Sequence, residues 1–166
     1  MEYRFCPKCG SRLCSRDIGD EGPTPFCGRC NQPFFDFARP SVLVLARNDK
    51  NEVALLRQRY VSATNWVLVA GFNKRGETAE ETVAREVGEE TGLRVTKCQY
   101  ISSYYHKGKK LLMLGFLAHV DGTLSSASSE VDEVQWVTFD QVPDLLREGS
   151  TGLAFYHDVK AILKRV

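Results

Sequence analysis

The fold of this chain follows from a single segment, Gly71-Phe-Asn-Lys-Arg-Gly-Glu77-Thr-Ala-Glu-Glu-Thr-Val-Ala-Arg85-Glu86-Val-Gly-Glu89-Glu90-Thr-Gly92-Leu93. The middle of the segment predicts a helix. Glu86, Glu89 and Glu90 stand at i, i+3 and i+4, so their carboxylates share one face of that helix. Apolar residues occupy the adjacent face and are expected to pack against a sheet. Gly92 is positioned to end the helix.

Three neighbouring carboxylates point to a bound cation. Like charges at this spacing repel one another, and a metal ion among them removes that repulsion. Oxygen ligands suit a hard ion, so Mg²⁺ or Mn²⁺ is the expected guest. The alternative for an arbitrary glutamate-rich helix is a solvated face.

The whole segment resembles the Nudix box, G-x(5)-E-x(7)-R-E-U-x-E-E-x-G-U with U aliphatic, and it matches at every specified position. A chance match at the fixed identities has a probability on the order of 10⁻⁸ per window. The resemblance implies hydrolysis of a nucleoside diphosphate linked to another moiety. It also implies the Nudix fold, an α/β/α sandwich around a mixed sheet.

The resemblance assigns roles within the box. Glu86 and Glu90 are the implied ligands of the catalytic Mg²⁺ or Mn²⁺, and Glu89 belongs to the same carboxylate cluster. Arg85 can orient a carboxylate through a bidentate ion pair. Glu77 is the implied partner of Arg85, and its charge suits the helix dipole at that end. Cleaving a diphosphate with water requires a Lewis acid and an activated nucleophile, in agreement with this set.

Two C-x2-C pairs near the N-terminus form a second signal, and they comprise Cys6, Cys9, Cys27 and Cys30. Four thiolates at this spacing predict a tetrahedral structural Zn²⁺ site. Two disulfides or a redox dithiol are the alternatives. We favour zinc because no secretory signal is recognised and disulfide frameworks are typical of secreted proteins. A ribbon of about 35 residues buries little apolar surface, so the metal is expected to supply its folding free energy.

We expect two domains, a zinc ribbon over residues 1–37 and a Nudix domain over residues 38–166. Hydrophobic patterns in the second domain predict strands over residues 42–46, 52–57, 66–70, 99–105, 111–120 and 134–139. They also predict a short helix over 143–148 and a closing helix from about residue 151. Strands and helices mix without strict alternation, which indicates the α+β class.

Composition limits the partners. The net charge is +1, so no global field recruits nucleic acid or a membrane surface. No apolar run reaches about 18 residues, so no membrane span is expected and the cytoplasm is the expected compartment. Some Nudix domains are ligand sensors and some zinc ribbons bind nucleic acid. The complete glutamate set and the mixed charges of the ribbon favour an enzyme over both.

A zinc ribbon ahead of a Nudix box is similar to the NADH pyrophosphatase (NAD diphosphatase) branch, which cleaves NAD(H) to nicotinamide mononucleotide and AMP as a homodimer. This resemblance implies NAD(H) or a related adenine dinucleotide as substrate, and a homodimer. It implies that Phe72 contacts the base, that Phe35 helps enclose a ring, and that the backbone of Ala154 touches substrate. A further implied metal ligand is Glu130, from the spacing E-x-x-E-x-x-W; a solvated loop glutamate is the alternative.

One segment departs from that branch. Where the branch carries S-Q-P-W-P-F-P, this chain has Ser103-Tyr-Tyr-His-Lys-Gly-Lys-Lys110. Tyr104 and Tyr105 are candidates to replace the missing stacking ring, or they are plain strand residues. The basic residues 106–110 either grip phosphate or form a solvated turn. We therefore expect relaxed selectivity, with ADP-ribose, nucleotide sugars, dinucleotide polyphosphates and nucleoside triphosphates as alternative substrates.

Overall fold

The computed structural model describes residues 3–59, 62, 64–126 and 128–164, and the chain divides into two compact units, Met1–Ala38 and Arg39–Val166. The first unit is a three-stranded antiparallel sheet in the order β1-β2-β3, built from β1 (Cys14–Asp17), β2 (Pro23–Cys27) and β3 (Gln32–Pro33). A single 3₁₀ turn, Gly19–Glu21, connects β1 to β2.

The second unit is built on a six-stranded mixed sheet. Its strands are β4 (Arg39–Arg47), β5 (Glu52–Arg57), β6 (Val69–Phe72), β7 (Arg94–His106), β8 (Leu111–Asp121) and β9 (Glu133–Thr138). The order is β7-β8-β4-β5-β9, and β6 pairs with the first half of β4. The β4–β8 pair is parallel and the other pairs are antiparallel.

Helices cover both faces of this sheet. They are α1 (Ala79–Thr91), α2 (Val142–Leu145) and α3 (Thr151–Leu163). Side chains alternate along β4, so Val42 and Val44 join the core cluster that contains α1 residues, and Leu43 and Leu45 join the cluster that contains α3 residues. We call these the α1 face and the α3 face. The layers confirm the predicted α/β/α sandwich, and among the described residues no helix is long and apolar enough to cross a membrane.

Helix α1 begins and ends where the sequence indicates. Thr78 caps its first turn: the hydroxyl accepts a hydrogen bond from the Glu81 N–H, and the Glu81 side chain accepts one from the Thr78 N–H. Gly92 ends it with φ of +69°, and a Cβ there would lie 2.4 Å from Ser125 Oγ. The left-handed backbone favours glycine here, and a larger residue would also have to displace the Ser125 hydroxyl.

Several predicted elements have different bounds in the structure. β4 is longer than the strand predicted over 42–46, and β7 is longer than the strand predicted over 99–105. Two further elements are shifted by long-range pairing. The strand predicted over residues 66–70 is displaced to β6, because Trp66 and Val67 form isolated bridges with Leu146 and Leu56. The helix predicted over 143–148 ends at Leu145, since Leu146 is extended where it bridges to Trp66. Long-range pairing overrides local propensity at both positions.

Candidate functional site

The site is built where β6 passes the middle of α1. Gly71 faces the Glu86 side chain so closely that a Cβ at residue 71 would lie 1.8 Å from the Glu86 carboxyl carbon. Glycine is needed here for space and not for its backbone angles. The close approach positions the Glu86 carboxylate against the β6 backbone.

Arg85 connects the site. Its Nε and Nη2 donate to the two carboxylate oxygens of Glu77 at 2.7 and 3.0 Å, which is a bidentate pair. Its Nη1 donates to Glu86 Oε1 at 2.7 Å and to Glu89 Oε2 at 2.9 Å. Its Nη2 also donates to the carbonyl oxygen of Phe72 at 3.0 Å. One guanidinium thus fixes three of the box carboxylates and the end of β6.

Arg85 lowers the pKa values of two carboxylates in this network. The hydrogen bond from Arg85 lowers the pKa of Glu77 to about 2, aided by the N–H of Lys74 and the hydroxyl of Thr82. The same arginine lowers the pKa of Glu89, which also pairs with Lys74 Nζ at 3.4 Å. Both carboxylates are therefore held in the charged form.

Glu90 lies in a different environment from the other box glutamates. It is 5% exposed, and its Oε1 accepts a hydrogen bond from Gln58 Nε2 at 2.7 Å. Its Oε2 is buried and has no hydrogen bond of good geometry among the described residues, although the backbone of Ala70 lies near enough to the carboxylate to act against the rise of its pKa. Burial raises the pKa of Glu90 to about 7, and the nearby charges of Glu86 and Glu130 add to this shift.

This environment fits a divalent cation. A buried carboxylate oxygen without a partner carries a free-energy cost that an ion would remove, and the donors around it are oxygens. Glu130, in the loop between β8 and β9, is close enough for its charge to act on Glu90, and its N–H donates to Ser128 Oγ at 3.1 Å. The charges of Glu86 and Glu130 both act on Glu90, but among the described residues only four cysteines bring their ligand atoms within 4.8 Å of one another.

The predicted substrate contacts lie at several positions. Phe72 ends β6 beside this site and is 42% exposed. The hydroxyl of Tyr104 bonds to Ser102 at 2.6 Å and to Asp158, and its ring packs edge-on against Phe155. Burial raises the pKa of Tyr104 to about 12. Ala154 is exposed in the first turn of α3, where its N–H donates to the Ser150 carbonyl oxygen.

The cysteines of the first unit form a second cluster. The Sγ atoms of Cys6, Cys9, Cys27 and Cys30 lie within 4.8 Å of one another. The Cys6–Cys30 and Cys9–Cys27 sulfur separations are 3.8 and 3.6 Å, and all four thiols are free. Sulfurs about 2.3 Å from a tetrahedral ion would lie about 3.8 Å apart, so the cluster fits a metal ion.

Hydrogen bonding within the cysteine cluster shifts the pKa values of two members in opposite directions, and the hydrogen bond with Cys9 raises the pKa of Cys30 to about 12. Hydrogen bonds from the side chain and backbone of Ser11 lower the pKa of Cys9 to about 6. The N–H of Cys30 points at Cys27 Sγ at 3.3 Å. Phe35, the predicted substrate contact of this unit, packs its ring on Phe37 at 5.7 Å between centroids.

Sequence reasoning missed Gln58 and Arg39. Gln58 lies 32 residues before Glu90, and no local pattern links the two. Arg39 lies in no motif of the sequence, yet its guanidinium carbon lies 4.1 Å from the centre of the Phe72 ring. The Arg39–Phe72 contact follows from the pairing of β4 with β6. A single sequence does not reveal that pairing.

Comparison with known proteins agrees with this geometry. The family model described as NUDIX domain matches residues 38–157. The chain belongs to the NUDIX family. This NUDIX chain is 34% identical over 151 residues to the NAD-capped RNA hydrolase NudC of Vibrio atlanticus, covering 90% of the chain and 55% of that protein. It is 36% identical over 144 residues to NudC of Pseudomonas aeruginosa, covering 86% of the chain and 50% of that protein.

A solved structure supports the same fold. The crystal structure of a NUDIX hydrolase from Nitrosomonas europaea superposes with a TM-score of 0.77 at 21% identity, covering 98% of this chain and 92% of that one. These matches confirm the resemblance seen in the box segment. The chain spans little more than half the length of the NudC relatives.

Proposed function

We propose that this chain is a metal-dependent hydrolase that cleaves the diphosphate of a nucleoside diphosphate-linked substrate, with NAD(H) or a related adenine dinucleotide as the preferred class. The observation that carries this proposal is the buried Oε2 of Glu90, near Glu86, which has no hydrogen bond of good geometry among the described residues. Phe72, whose carbonyl oxygen Arg85 holds, presents an exposed ring from the neighbouring strand β6. A carboxylate site next to an exposed aromatic ring suits a molecule that joins phosphates to a base.

Glu86, Glu90 and Glu130 would hold Mg²⁺ or Mn²⁺. When bound, such an ion would act as a Lewis acid that withdraws charge from the phosphoryl oxygens and lowers the pKa of a bound water. The oxygen-only donor set supports this choice of ion.

The chain's own residues orient the site. Arg85 fixes Glu86 and Glu89 and anchors the Phe72 carbonyl, while Glu77 holds Arg85 in place through two hydrogen bonds. Gln58 orients Glu90 so that one of its oxygens stays available. A pre-positioned set of ligands lowers the free-energy cost of organising the transition state.

The substrate is proposed from two considerations. Relatives that this chain half covers are named NAD-capped RNA hydrolases, so NAD(H) and NAD joined to RNA are the first substrates to test. NAD-capped RNA is included because of the name of these relatives, although the near-neutral net charge of this chain does not favour nucleic-acid binding. The replaced segment 103–110 favours relaxed selectivity, and Phe35, Tyr104 and Ala154 stay predicted contacts.

The remaining features follow the same resemblance. We propose a structural Zn²⁺ on the four cysteines within a ribbon over residues 1–37, ahead of a catalytic domain over 38–166. We also propose a homodimer and a cytoplasmic location. Light scattering after size-exclusion chromatography tests the dimer.

A substrate panel tests the function. Purified protein with Mg²⁺ or Mn²⁺ would be offered NADH, ADP-ribose, a nucleotide sugar, a dinucleotide polyphosphate, ATP and NAD-capped RNA, with products separated by chromatography. We expect AMP and reduced nicotinamide mononucleotide from NADH, with weak discrimination against ADP-ribose. A Glu86→Gln preparation, purified in parallel, controls for contaminating hydrolases. Pyrophosphate release from ATP without cleavage of any dinucleotide would overturn the substrate proposal.

A further inference from the structure

The Arg39–Phe72 pair is connected to the carboxylate site through the β6 backbone: Gly71 faces Glu86, and the next residue, Phe72, directs its ring to the other face of the sheet. Strand register explains the contact: Ser41 lies directly opposite Phe72 in the β4–β6 pair, and Arg39 is two residues earlier on the same face. The Arg39 guanidinium carbon is 4.1 Å from the centre of the Phe72 ring. This distance places a planar cation in contact with one face of the ring.

Other arginine–aromatic pairs of the chain are different. Arg57 lies 4.7 Å from the Trp66 ring and Arg16 lies 4.6 Å from the Phe26 ring. Those two rings are each 7% exposed, so their arginines cover side chains that are already buried. Phe72 keeps 42% of its surface exposed although Arg39 rests on it. The covering of a buried core side chain therefore does not explain why Arg39 packs on the Phe72 ring.

Two neighbours tie this pair to a ligand. Phe72 follows Gly71, which touches Glu86, and its carbonyl is held by Arg85. Ser41, opposite Phe72, is 3% exposed, and its hydroxyl has no hydrogen-bond partner in the described part of the chain. A buried polar group without a partner next to an exposed ring is a feature of a binding site.

We propose that Arg39 and Phe72 form a two-sided clamp for the base of the nucleotide. The inference rests on the proposed function and adds Arg39 as a substrate-binding residue. To admit a base, the guanidinium moves outward by about one contact distance, roughly 3.5 Å. The base then lies between the ring and the guanidinium. Because every base offers a flat face, such a clamp gives affinity with little choice between bases.

The affinities for two ligands, one with a base and one without, distinguish a base clamp from a phosphate contact. We would titrate AMP and inorganic pyrophosphate, each with Mg²⁺, into the wild type, Arg39→Ala, Arg39→Lys and Phe72→Ala by calorimetry. Arg39→Ala is expected to weaken AMP binding about 5-fold and to leave pyrophosphate binding unchanged. Arg39→Lys should bind AMP about as weakly as Arg39→Ala, since lysine lacks the planar group that stacks on a base.

The double variant supplies the decisive measurement. If the two side chains act as one clamp, Arg39→Ala has almost no further effect on AMP affinity in the Phe72→Ala background. Arg57→Ala, which removes a similar contact on a buried ring, should leave AMP affinity unchanged. Thermal melts of each variant establish that it is folded.

The results separate two failures. Independent effects of the two substitutions on AMP affinity would overturn the clamp. An equal loss of pyrophosphate affinity in Arg39→Ala would also overturn it and would make Arg39 a phosphate ligand. If the wild type cleaves nothing in the substrate panel but AMP binding shows the coupling, the hydrolase proposal fails and the clamp stands. If dinucleotides are cleaved without the coupling, the clamp alone fails.

Discussion

The cysteine cluster and the carboxylate cluster of this chain are both suited to metal ions, but they are built in opposite ways. The four cysteines come from two short pairs within one small unit, and their sulfurs lie close enough to surround an ion on all sides. The carboxylates come from α1 and a distant loop, and one buried oxygen of Glu90 has no hydrogen bond of good geometry within the described part of the chain. A closed thiolate set suits a structural ion, whereas an open oxygen set suits catalysis.

This difference indicates what stabilises each of the two units. The second unit has apolar clusters on both faces of its sheet, so it does not depend on an ion to fold. The first unit is far smaller, and two of the residues in its buried apolar set are cysteines of the cluster. Metal removal should therefore affect folding in one region and chemistry in the other.

The largest effect is expected in the cysteine cluster. Cys27 is fully buried, and Cys27→Ser should abolish zinc binding and unfold the first unit. Metal analysis should find about one zinc per wild-type chain and none in the variant. Hydrogen exchange should quicken in residues 3–38 and stay unchanged in α1 and β4.

Cys14→Ser is the matched control, because Cys14 is exposed and lies outside the cluster. Zinc retained by Cys27→Ser, or a native disulfide among the four cysteines, would contradict a structural zinc site.

In the carboxylate cluster, Glu90→Gln keeps the side-chain shape and removes the charge. We expect kcat to fall on the order of 10²-fold or more, because a metal ligand and its share of charge stabilisation are lost. Zinc content should be unchanged, and the melting temperature measured without a divalent ion should not fall, because the substitution removes a buried carboxylate. Steady-state kinetics with NADH test this, and exposed Glu80→Gln on the same helix should behave as wild type. Near-normal turnover by Glu90→Gln would remove Glu90 from the mechanism.

A smaller effect should follow from Gln58→Met, which removes the hydrogen bond to Glu90 at similar volume. The Mn²⁺ concentration that gives half-maximal activity should rise about 10-fold, the scale of a lost contact behind a metal ligand. Gln99→Met, at an exposed position of β7, is the control. An unchanged Mn²⁺ requirement would mean that Gln58 does not orient Glu90.

The smallest expected effect is on stability against acid. The hydrogen bond from Arg85 lowers the pKa of Glu77 from 4.5 to about 2. A lowered carboxyl pKa stabilises the fold above the ordinary pKa, and that contribution is lost as pH falls from 4.5 towards 2. Wild type should therefore melt higher than Glu77→Gln at pH 7, and the difference should shrink by pH 3. A difference that is constant with pH would exclude this ion pair as its source.

The sequence was informative where function depends on local spacing. The box predicts α1 and its end at Gly92, and the cysteine pairs predict their own cluster, because helix periodicity and short loops need no knowledge of the fold. It was uninformative where the contact depends on strand register. The Arg39–Phe72 and Gln58–Glu90 contacts join elements far apart in the chain, and the Trp66–Leu146 bridge displaced two predicted elements.

The close approach of Gly71 to Glu86 also bears on how such a protein can change its role. A methyl group at residue 71 would collide with the end of a flexible side chain and not with backbone, so the fold can absorb it by turning the Glu86 carboxylate aside. The same adjustment withdraws that carboxylate from its neighbours, while Phe72 and Arg39 keep their positions. A single-nucleotide codon change from glycine to alanine thus offers a short evolutionary path from a catalyst to a protein that only binds nucleotides.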